Sequence, residues 1–169
     1  MHAILQAYLA QIETKKSEIV RRTMVMSESD RAKSSLGDQW SAAQVVEHLV
    51  MFEEFLLAGH KKALEVGNSR NPGVKGRVFV GVIGLLIRAK ARFGTTKEFE
   101  PALHIDLDKR LQDWCDVRET LTTELDKIPA SNLGATFAIH PIAGPLSAGA
   151  TIRLISLHID YHIRFFPND

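Results

Sequence analysis

The sequence predicts an all-α protein: a four-helix bundle with one extra hydrophobic helix between its second and third long helices. Three observations lead there. Four long segments repeat apolar side chains at helical spacing. One of them opens with Ser41 and Gln44 three residues apart, the signature of a capping box. Strand-type alternation is weak throughout, and "GATFAIH", residues 134–140, is the one short candidate.

The first helix is expected over residues 4–26, with Leu5, Leu9, Ile12 and Ile19 near one side. "SESDRAKSSLGDQW" then reads as a polar break. The second helix starts after Trp40, is capped by Ser41, and ends at the loop of residues 67–76, where Gly, Asn and Pro stop it. A hydrophobic helix follows over residues 76–92. It contains "VFVGVIGLLI", residues 78–87, whose ten residues fall well short of the ~20 a membrane span needs. Lys75, Arg77, Arg88, Lys90 and Arg92 flank it, so a peripheral membrane contact is conceivable, but a buried or dimer-forming helix is the expectation. Gly81 and Gly84 would permit close packing there. After the irregular "FGTTKEFEPALHI", another helix spans residues 106–128, with Leu111, Trp114, Cys115, Leu121 and Leu125 inward. Residues 129–150 form a turn-rich connection, and the last helix begins near Ser147.

Composition narrows the function classes. The chain has 169 residues, 45% of them apolar and 24% charged, as expected of one ordinary globular domain rather than a disordered segment. Basic residues number 21 and acidic residues 20, a balance that gives no electrostatic case for nucleic acid. Glu13 and Glu18 interrupt the apolar start, so it reads as an amphipathic helix and not as a signal peptide. A lone cysteine, Cys115, has no internal disulfide partner, and a cytoplasmic location is expected. Cys115 reads as inert packing on an apolar face.

The chemistry concentrates in histidines. In "LISLHIDYHIRFF", residues 154–166, His158 and His162 stand four apart, about 40° from each other on a helical wheel. Thr151, Leu154, Ile155, Tyr161 and Phe165 share their side, whereas Arg153, Ser156, Asp160 and Arg164 take the other. Both rings therefore point inward, where burial favours the neutral form, the form that ligates metals. The blander reading is two core histidines bonded to carbonyls or carboxylates. On the second long helix His48 lies among Val45, Met51, Phe52 and Phe55, with Val50, Glu53 and Glu54 on the far side. Three inward histidines from two segments of a bundle can make a catalytic three-nitrogen metal site with an open position. Zinc or nickel is expected, although nitrogen ligands also suit copper and iron.

The other histidines rank lower. His60 reads as surface, His2 and His104 as end or loop residues, and His140 as solvent-facing, with a place at the mouth of the site as its alternative. Glu47 falls about 100° from His48, an awkward angle for the same metal. No phosphate loop and no Ser-His-Asp pattern is present.

"WSAAQVVEHL", residues 40–49, and "HPIAGPLSAGATIRLISLHIDYH", residues 140–162, resemble the two signatures of the DinB/YfiT-like superfamily, in the same order. The resemblance implies an up-down-down-up four-helix bundle, a divalent metal held by His48, His158 and His162, and frequent homodimers. It also implies a metal-dependent hydrolase or thiol S-transferase acting on a small molecule. Phe165 departs from the pattern, since many relatives carry Gln there, and the insert at residues 76–92 is unusually hydrophobic. The alternative function is a non-catalytic bundle that binds a small ligand, or a partner through that insert. A single domain over residues 1–169 is expected.

Overall fold

The computed structural model describes residues 1–33, 40–67 and 72–166. The parts of the expected polar break and loop that fall at residues 34–39 and 68–71 lie outside them. The described chain is mostly helical: α1 (Ala3–Val25), α2 (Glu28–Ala32), α3 (Ala42–Val66), α4 (Gly73–Arg88), α5 (Leu107–Asp126) and α6 (Ala148–Ile163), with one hairpin, β1 (Thr136–His140) and β2 (Gly144–Ser147).

Local signals set most of these boundaries. In α1 the buried residues are Leu5, Leu9, Ile12, Lys16, Ile19 and Thr23, a spacing of four and three that lays one stripe along the helix. The Ser41 side chain accepts from Gln44 N at 3.2 Å, and Gln44 Oε1 accepts from Ser41 N at 3.0 Å, so the capping box forms. Such a cap stabilises a helix by ~1 kcal/mol. Asp106 caps α5 and Ser147 caps α6 in the same manner.

Contacts fix the relative directions of the long helices. Lys15 of α1 bonds Ser156 and Asp160 of α6, and a Cβ at Gly149 would touch Tyr8, so α1 and α6 advance together. Along α3 and α5 the pairs Glu47–Arg110, Glu53–Arg118 and His60–Glu124 also advance together. Between α1 and α5 the order reverses, since Glu13 meets Arg118 whereas Lys16 meets Cys115. α3 and α6 are opposed as well, because His48 meets His162 while Phe52 meets His158. One apolar core runs through all of these helices, α4 and the hairpin.

Several sequence expectations are corrected. The polar break holds a short helix, α2, started by the Ser27 cap. α4 begins and ends earlier than residues 76–92, because Ala89 leaves the helix and Lys90 takes a left-handed φ of 57°. In α4 it is Gly76 that permits close packing, since a Cβ there would lie 2.6 Å from the Pro145 carbonyl, whereas Gly81 faces open space. The turn-rich connection contains the antiparallel hairpin. Cys115 is exposed rather than inward.

α3 departs most from its wheel. Val50 and Glu53, placed on the solvent side by periodicity, are buried. α3 packs against α5, α6 and β1, and none of its residues from Ala42 to Glu53 is exposed. Glu53 tolerates burial because Arg118 donates to both its oxygens, at 2.5 and 2.7 Å, and Trp114 Nε1 donates at 2.9 Å. The same central position buries His60. Its Nδ1 lies 2.7 Å from the Phe137 carbonyl and its Nε2 3.1 Å from Glu124.

Candidate metal centre

His48 comes from the second turn of α3, whose rotational phase the Ser41 cap fixes. His158 and His162 come from the last two turns of α6. The opposed course of α3 and α6 brings the three rings together, each pair of centroids 4.9–5.0 Å apart. His48 Nε2 lies 3.0 Å from His158 Nε2, and His162 Nε2 lies 3.2 Å from the same atom.

The proton count at this cluster is informative. His48 Nδ1 sits 2.8 Å from the Phe99 carbonyl, which can only accept, so the proton of a neutral His48 is on Nδ1 and its Nε2 is bare. His158 is held well below the ordinary histidine range, first by burial and then by its two imidazole neighbours. A neutral His158 has one proton, which can align well with only one of the two facing nitrogens. A shared cation would satisfy all three lone pairs. Nitrogen ligands of a tetrahedral ion with ~2.0–2.1 Å bonds stand ~3.3 Å apart, close to the observed separations. The donor set therefore fits a divalent metal.

Neighbouring groups hold the rings. Trp40, just before the Ser41 cap, stacks on His162 at 5.9 Å and lies 4.6 Å from His48. Phe52 packs on His158 at 4.2 Å, and His158 Nδ1 has no acceptor among the described residues, so packing orients that ring. The Phe99 carbonyl is delivered by a single 3₁₀ turn, Lys97–Phe99. No sequence pattern marked it, because its part is played by backbone. Phe165 packs on Tyr161 at 5.3 Å and under the Arg164 guanidinium at 4.7 Å.

Beside the cluster lies a cavity of about 630 Å³, with Phe79, Ile83, Phe93 and Tyr161 in its wall. Tyr161 Oη accepts from Phe93 N at 3.1 Å, which fastens the segment after α4 to α6. His140 also lines this cavity and is 8% exposed, which corrects the solvent-facing expectation in favour of its alternative. Hairpin formation turns the ring inward, and a wheel carries no information about that. Glu47 is ion-paired to Arg110 on α5 and takes no part in the cluster. His2 and His104 are exposed.

A family model described as the DinB superfamily matches residues 11–166. No curated protein and no solved structure matches the chain.

Proposed function

This chain belongs to the DinB superfamily, and on that premise we propose that it is a divalent-metal-binding bundle whose ion is held by His48, His158 and His162. The observation that carries the reading is the set of three inward ligand nitrogens, all within 4.8 Å of one another, in a buried and largely apolar setting. Zinc or nickel suits this all-nitrogen set. We further read the activity as metal-dependent hydrolysis or thiol S-transfer on a small molecule. An ion in this position would supply a Lewis acid beside the cavity. The chain's own residues do the positioning. Phe99 fixes the His48 tautomer, Trp40 and Phe52 hold the rings, and aromatic side chains line the cavity beside them.

The remaining parts of the reading have narrower supports. An up-down-down-up course is supported by the contact pairs between α1 and α6 and between α3 and α5. A single domain is supported by the continuous core. A reducing, cytoplasmic setting is supported by the one free cysteine. No helix among the described residues is long and apolar enough to cross a membrane.

The test is elemental analysis of protein prepared with zinc and with nickel. About one equivalent per chain is expected, as for a three-ligand site with an open position, and His158→Ala should lose it while keeping the helical circular dichroism. Absence of metal under replete conditions would favour the second reading, a non-catalytic partner-binding bundle. One observation supports that alternative: α4 turns Val74, Val78, Val82 and Leu85 outward, each about half exposed or more. A second copy of the chain is the partner we assign to that face.

A further inference from the structure

The cavity beside the three histidines is selective in its chemistry. Its volume of about 630 Å³ is that of a small-molecule site. Most of its wall is aromatic or aliphatic, two of its inner polar groups are already bonded within the protein, and His158 Nδ1 is buried out of a ligand's reach. The Phe99 carbonyl faces His48, and the Tyr161 hydroxyl is bonded to the backbone of Phe93. No lysine or arginine is among the described residues that line it, and Glu98 is the charged side chain present.

His140 is the exception. Its ring is wedged between Phe55 at 5.7 Å and Phe79 at 5.4 Å. Its Nδ1 lies 3.2 Å from both Ile142 N and Ala143 N. A backbone N–H can only donate, so Nδ1 is bare and the proton of the neutral ring is on Nε2. Burial holds His140 below the ordinary histidine range, which favours that neutral ring. Among the described residues Nε2 has no partner. The wall therefore offers an N–H donor fixed between aromatic side chains and free to bond a ligand.

We propose that this cavity takes an uncharged, apolar carbonyl compound (an ester, amide or ketone of aromatic or aliphatic character) whose carbonyl oxygen accepts from His140 Nε2–H. The proposal rests on the metal-site reading only in naming that site's substrate class; the His140 contact itself needs no metal. In the metal-free cavity an anion meets no lysine or arginine among the described lining residues and faces Glu98. A pure hydrocarbon fills the chamber but leaves the donor bare.

The experiment titrates the full chain, chelator-treated and zinc-loaded, with acetophenone, ethylbenzene and benzoate, observed by calorimetry. One net hydrogen bond corresponds to roughly a 3- to 10-fold preference, so acetophenone should bind that much tighter than ethylbenzene, and benzoate should bind weakest in the chelator-treated form. The preference should vanish in His140→Phe. Should that variant unfold, the ¹⁵N shift of His140 Nε2 in the unaltered chain decides: it should move with acetophenone and stay with ethylbenzene. Equal affinity for acetophenone and ethylbenzene, tightest binding of benzoate by the chelator-treated form, binding of none of the three, a preference that survives His140→Phe, or an Nε2 shift unmoved by acetophenone would each overturn the proposal. A preference confined to the zinc-loaded form would overturn it while leaving the metal reading intact. A preference in the chelated form upholds it even where no metal ever binds.

Discussion

Individual side chains here are governed by what burial does to a proton. His140 makes the clearest case. Burial lowers its affinity for a proton, and a proton on Nδ1 would break both bonds to the Ile142 and Ala143 amides. The unfolded chain, with an ordinary histidine near 6.5, binds the proton more readily. Below that pH the unfolded state therefore holds more protons, and the stability contributed by neutral His140 is lost as pH falls. Urea unfolding of chelator-treated protein at pH 7.5 and 5.5 should show a larger acid loss in the natural chain than in His140→Gln. Equal losses would mean that His140 titrates normally. That His48, His158 and His162 meet was legible in the sequence, because helical periodicity is local and a cap fixes its phase; whether they serve as ligands is the question metal analysis answers. The inward turn of His140 and the burial of His60 were not legible, since both depend on a hairpin and a neighbouring helix far away in the chain.

Among the elements, α3 shows where a wheel stops being a guide. A helix with one packed face sorts its residues by angle, and α1 obeys this throughout. α3 is enclosed on two sides, so charge ceases to mark the solvent and Glu53 is drawn inward to Arg118 and Trp114. Removing Glu53 leaves the buried Arg118 with only the half-exposed Glu13 and strips Trp114 Nε1 of its acceptor, at a cost of ~3 kcal/mol. Glu53→Ala should lower the denaturation midpoint accordingly, whereas Glu54→Ala, on an exposed neighbour, should leave it nearly unchanged. A second element-level test concerns the approach of α3 to β1. A Cβ at Gly59 would lie 2.6 Å from the Ile139 carbonyl, a rigid backbone atom. Gly59→Val should therefore destabilise by ~1–3 kcal/mol, read by chemical denaturation. The hairpin itself was only faintly legible, as "GATFAIH", because its second strand is four residues long and contains a proline.

At the scale of the whole molecule, the apolar excess sits on α4. Gly76, Val80 and Gly84 face the body, while Val74, Val78, Val82 and Leu85 face out. A helix apolar on every side is expected to be covered. Under the proposed pairing of two copies through this face, Val78→Asp combined with Val82→Asp should leave the folded chain intact and lower its sedimentation coefficient to that of a monomer. An unchanged coefficient would exclude pairing through this face. The helical class and the order of the helices followed from the sequence, whereas the paired directions of α1 with α6 and of α3 with α5 appear only in cross-helix contacts. One consequence concerns time rather than energy. His48 and His158 are 110 positions apart along the chain. Their meeting must wait until α6 has been made and has docked on α3, so an ion held by both would be taken up late in folding, completing the pairing instead of seeding it.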